Sequence, residues 1–103
     1  MDVNKNLIVF LVNQFGLKIS DVHGVENFDF GLRELELQLS FRIKHLIDYD
    51  RDKLMHSLYR IDVNEEEVKK IFKSSSSELI PIKIARLIIK RTAEKMKNYN
   101  NTD

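Results

Sequence analysis

The side chains able to do chemistry in this chain are few. His45 stands three residues before Asp48, and Asp52 stands four before His56, so each pair shares a face if its segment is helical. A metal site would need such imidazoles and carboxylates to converge on one ion. The same groups can serve as a general base, but the sequence offers no nucleophile or oxyanion hole for it to serve. The remaining histidine, His23, falls in a connecting segment beside Gly24. Capping and surface ion pairing account for these pairs more simply than a metal or enzyme site around His45, Asp52 and His56. No metal, cofactor or catalytic residue is therefore expected.

Arginine supplies the second constellation. Arg60 and Asp62 flank Ile61 at an expected turn, and Arg91 falls within the apolar arc of the last expected helix. An arginine inside an apolar arc needs an acid partner, and Asp62 is the candidate. The functional alternative is an anion site built on Arg60 and Arg91; a tie between the turn and the last helix is preferred.

A third feature is charge polarity. From Pro81 onward six Lys or Arg stand against two acids, a net of +4, whereas residues 21–67 hold six bases and twelve acids, a net of −6. Lys83, Arg86, Lys90 and Lys97 share one helical face with Glu94, a candidate polyanion surface. That face lacks interleaved aromatics and a Gly-rich loop. A solvated helix face is the simpler explanation. The segment 54–72 also has the shape of a DNA-binding helix-turn-helix, but Glu65, Glu66 and Glu67 stand where base-reading residues would be. Phosphates would repel them, so nucleic acid is disfavoured.

These residues need elements to position them. Leu54, Leu58 and Ile61 form a stripe at helical spacing, with Met55 and Tyr59 beside it. Asp50 or Asp48 can cap its start. Asn64, followed by Glu65, Glu66 and Glu67, marks a second start, and Val68, Ile71 and Phe72 give its apolar face. This pair, from Asp48 to Phe72, is expected to be the centre that the rest covers.

Before it, Leu7, Ile8, Leu11, Val12 and Phe15 predict a helix ending at Gly16, with Asn4 or Asn6 as its cap. Residues 17–30 form a connection that Leu17, Ile19, Val22 and Phe28 would pin to the core. Asp29 can cap the next helix. Residues 32–47 fit two periods. Leu35, Leu37, Leu39, Phe41 and Ile43 alternate as in a strand; Leu32, Leu35, Leu39, Ile43, Leu46 and Ile47 recur as in a helix. Sixteen residues without a breaker favour the helix. Leu37 and Phe41 then lie on a second apolar edge, a candidate interface that the first helix or a second copy must cover. Ser74–Ser77 reads as a linker, with a phosphate-accepting role as the alternative. Pro81 opens a last helix whose wide apolar arc needs several neighbours.

The expected architecture is an all-α bundle with helices at about 4–15, 31–47, 51–61, 65–73 and 81–97. It becomes α+β if 7–12 and 35–43 are strands. The chain is expected to be one domain, 1–98, with a disordered tail at 99–103. It has no cysteine, which excludes disulfides and thiolate chemistry and is compatible with a cytoplasmic setting. The apolar run 7–12 is too short for a signal or a membrane span. Nucleotide-binding loops, zinc spacings and hydrolase triads are absent.

The box Leu58-Tyr59-Arg60-Ile61-Asp62-Val63, with Glu65 or Glu66 after it, resembles a group of small uncharacterised bacterial helical proteins. So does the later run from Ile84 to Arg91, and the likeness spans 32–97. Those proteins would carry a Gln near Thr92 or Ala93, which this chain lacks. The resemblance implies an all-helical fold and brings no activity. The functional expectation is a non-catalytic interaction or adaptor module with a protein partner, able to self-associate.

Overall fold

The computed structural model describes residues 3–17 and 28–100, with side chains placed for 6–17 and 31–97. The described residues form five helices and no strand: α1 (Val3–Phe15), α2 (Phe28–Tyr49), α3 (Arg51–Ile61), α4 (Glu65–Ser74) and α5 (Ile80–Asn100). The chain is thus an all-α bundle, and both ambiguous segments, 7–12 and 35–43, are helical.

Four helices run further than expected, α4 by the single residue Ser74. α1 begins at Val3, so Asn4 and Asn6 lie inside it rather than capping it. α2 begins at Phe28, which likewise places Asp29 within its first turn. α5 continues through Tyr99 and Asn100, which were expected in a tail. Ile19, Val22 and the His23-Gly24 turn lie outside the described residues, as do 101–103. No side chain is described at Phe28.

Local chemistry explains the helix ends. Gly16 takes φ 65°, and Leu17 N–H reaches back to the Val12 carbonyl at 3.0 Å, closing α1. Asp50, not Asp48, caps α3: its carboxylate accepts from Lys53 N–H at 3.2 Å. Asn64 Oδ1 accepts from Glu66 N–H at 2.8 Å and Glu67 N–H at 3.1 Å, so α4 starts as its spacing predicts. The serine run is a compact turn rather than a loose linker. Ser74 Oγ donates to the Lys70 carbonyl at 2.7 Å, and Leu79 N–H returns to the Ser76 carbonyl at 2.9 Å.

The centre of the bundle is not the 48–72 stretch. α2 and α5 share the largest interface, and α5 also touches α1, α3 and α4. Ile84, Ala85 and Ile88 of α5 are fully buried, as are Leu35, Leu39 and Ile43 of α2 and Leu11 of α1. The wide apolar arc of α5 is the physical reason: it offers surface to four neighbours, while α3 and α4 each offer one stripe. The α4 backbone approaches that of α5 alone. α3 reaches both α2 and α5 through Leu54, Leu58 and Ile61. α2 is the longest of the five helices, at about 33 Å for its 22 residues.

Candidate functional site

The end of α3 is built by the Leu58–Val63 box. Asp62 takes the left-handed conformation, φ 68°. Its N–H donates to the Tyr59 carbonyl at 3.0 Å, and Val63 N–H reaches the Leu58 carbonyl at 3.1 Å. This is the paired bonding of a Schellman stop, and the apolar residues it juxtaposes, Leu58 and Val63, are both buried.

Two cations from α5 close on that stop. Arg91 Nε donates to the Asp62 carbonyl at 3.0 Å, and Nη2 meets Asp62 Oδ2 at 3.1 Å. Arg91 Nη1 also lies 3.6 Å from Glu94 Oε1. Lys95 Nζ donates to the Ile61 carbonyl at 3.2 Å. Both cations therefore meet the negative end of the α3 dipole. The tie is not a buried pair, since the side chains are 32% exposed at Arg91 and 76% at Asp62. Arg91 is thus half-buried, its guanidinium held by Asp62 and Glu94.

Arg60 does not join Arg91. It lines a different depression, with Asp52, His56, Tyr59 and Glu65, so the two arginines form no common anion site. His45 is elsewhere again, its ring 4.9 Å from that of Tyr49. Asp48 takes Lys44 instead, at 3.1 Å. No group of three or more His, Cys, Asp or Glu among the described residues is placed to hold a metal ion.

The basic face of α5 is partly committed to its neighbours. Arg86 binds Glu36 of α2 through Nε at 3.0 Å and Nη2 at 3.4 Å. That hydrogen bond, with the carboxylate charge, holds the Arg86 guanidinium above its ordinary pKa. Lys83 donates to Ser75 Oγ at 3.1 Å. Lys90 shares a depression with Asp62, Glu67 and Glu94. Lys97 is exposed.

Two apolar surfaces remain. The first lies between α3 and α4. Each helix seats on α5, but their backbones stay apart. The trough between them is lined by Met55, Leu58, Val63 and Val68, and it continues along Phe72. Met55 borders all three adjoining depressions here. It and Tyr59, expected beside the buried stripe, are exposed, Tyr59 by 82%. Glu65 and Glu66 stand at the turn end of the trough, and Lys69 and Lys73 further along α4. The Arg51 guanidinium lies over the Phe72 ring, 5.5 Å from its centroid. Spacing alone could not reveal this trough, because it depends on how far two helices diverge.

The second surface is the outer side of α2. Leu37 is 48% exposed and Phe41 60%. Each lies about 160° around the helix from Leu39, at 100° per residue. They occupy the back of α2, not an edge beside its core stripe, and α1 does not bury them. Glu34, bonded to Gln38 at 3.3 Å, and Lys44 flank the pair.

No family model matches this chain, and neither does any curated protein or solved structure.

Proposed function

We propose that this chain is a non-catalytic helical interaction module whose partner is a protein that lays an amphipathic helix into the α3–α4 trough. One observation carries the proposal: α3 and α4 seat on α5 while their backbones stay apart, bridged by Arg51 over the Phe72 ring, so Met55, Val68 and Phe72 floor an open channel. A helix with an apolar stripe fits such a channel, its anchors spaced three and four residues apart. Methionine at the hub adapts to side chains of different shape. Glutamates at one end and lysines further along favour a partner helix of opposite polarity, cationic toward Glu65 and Glu66 and acidic toward Lys69 and Lys73. A contact of this size fits a transient complex. A cytoplasmic setting, in keeping with the absence of cysteine, completes the proposal.

The test is site-specific photo-crosslinking from position 59 in the native host, with mass spectrometry of the product. A defined protein partner should crosslink there, be lost on Met55→Glu in a protein that keeps its helical circular dichroism, and survive Lys97→Glu. A crosslink indifferent to Met55→Glu would exclude the trough as the site.

Polyanion binding through α5 is the second reading, favoured by the net +4 from Pro81 onward. It ranks lower because Glu36 holds Arg86 and acids border Lys90. Sub-micromolar DNA affinity at physiological salt, lost on substitution of Lys83, Arg86 and Lys90, would promote it.

A further inference from the structure

We infer that the outer face of α2 takes a second copy of this chain, antiparallel and related by a two-fold axis level with Leu39. The trough plays no part in this surface, which stands on its own observations. Leu37 and Phe41 are large apolar side chains exposed on the back of a helix whose opposite face is fully buried. Their positions are symmetric about Leu39, two residues before it and two after. The flanking charges are symmetric about the same point: Glu34 lies five residues before Leu39 and Lys44 five after.

That symmetry makes the face self-complementary. A two-fold axis across α2 at this level brings Leu37 beside Phe41 of the second copy, and Phe41 beside its Leu37. It also brings Glu34 level with Lys44 of the second copy, and Lys44 level with its Glu34. Both charge pairs are opposite in sign, and both side chains are long enough to close over the apolar pair. The Lys44 ammonium, already 3.1 Å from Asp48 within its own chain, gains a second carboxylate. A parallel pairing would do the reverse, setting Glu34 on Glu34 and Lys44 on Lys44. The antiparallel arrangement also opposes the two helix dipoles. An isologous contact of this kind closes on itself, as two-fold dimers do.

Two apolar side chains per copy make a small interface, below the ~1,000 Å² that marks stable ones. The association is therefore weak and concentration-dependent. Sedimentation equilibrium from about 10 μM to about 1 mM covers the range in which such a contact appears. Wild type should pass from monomer to dimer across it. Glu34→Lys and Lys44→Glu should each weaken the dimer about tenfold, since each turns both charge pairs into like pairs. An equimolar mixture of the two variants should restore it: the lysines of one copy then meet the glutamates of the other. The double variant Glu34→Lys/Lys44→Glu should self-associate like wild type. Circular dichroism confirms that each variant is folded. A wild type that stays monomeric throughout would overturn the inference. So would single variants that dimerise unchanged, or a mixture that gains nothing over its components.

Discussion

Asp62 holds a backbone conformation that costs an L-residue about 1 kcal/mol, and Arg91 binds both its carbonyl and its carboxylate. The carboxylate is mostly exposed, so the ion pair itself contributes little; the bond to the carbonyl, which ends α3, matters more. Arg91→Met should therefore lower stability by about 1 kcal/mol rather than the several expected of a buried pair. Asp62→Gly relieves the left-handed penalty and should be near neutral. In that background Arg91→Met should still destabilise, because its carbonyl partner remains. Urea melts of the four proteins in this cycle measure both effects. If the loss vanishes in the Asp62→Gly background, the carboxylate was the whole tie. At Gly16 the space around an added Cβ is open, so only φ 65° resists substitution. Gly16→Ala should cost about 1 kcal/mol, with Gly16→Asn milder, as thermal melts would show. Arg86 illustrates a charge without a pH signature. Its folded pKa is raised, so its contribution is present below the unfolded value and lost only as pH rises through the still higher folded one. That window lies above any working pH. In the sequence, Arg91 was legible as one cation in an apolar arc, and Asp62 as its candidate acid partner. The bond to the Asp62 carbonyl was not, because it depends on a left-handed residue that no Gly announced.

At the scale of elements, the helices were legible because their signals are local. Asn64 followed by three glutamates both starts α4 and charges its first turn favourably. Asn64→Ala should therefore cost about 1 kcal/mol in a chemical melt, while Asn64→Asp should be near neutral. An unchanged midpoint for the alanine variant would mean that the glutamates alone hold the start. Direction around a helix proved harder to read than its length. Leu37 and Phe41 join a strand-like alternation with Leu35 and Leu39, which blurs the fact that helical geometry sends them to the opposite side of α2. Nor does any stripe state which neighbour covers it. The 48–72 pair carries the clearest start and stop signals, and that clarity suggested a centre. Centrality follows instead from the width of an apolar arc, which α5 has and α3 and α4 lack.

At the scale of the whole molecule, stability should be graded by the same arrangement. α2 and α5 form the largest interface, and their buried residues line one continuous core with α1. α4 is different. Its backbone approaches that of α5 alone, Val68 is its one buried side chain, and Ile71 and Phe72 are partly covered, Phe72 with the Arg51 guanidinium of α3 over its ring. Its side toward α3 is an open trough, so few apolar contacts oppose its release. A segment with little buried surface opens at lower free energy than the global transition. Native-state hydrogen exchange should find the amides of α4 exchanging through a local opening, while those of Ile84 to Ile88 and Leu35 to Ile43 exchange only on global unfolding. Two substitutions should separate the classes. Val68→Ala should speed exchange in α4 and leave the α2–α5 core protected. Ile88→Ala removes a fully buried side chain from the hub, costs about 2–5 kcal/mol, and should lower protection everywhere. If α4 proves as protected as α5, the trough is not an open channel in solution, and a helix docking there would have to displace whatever closes it.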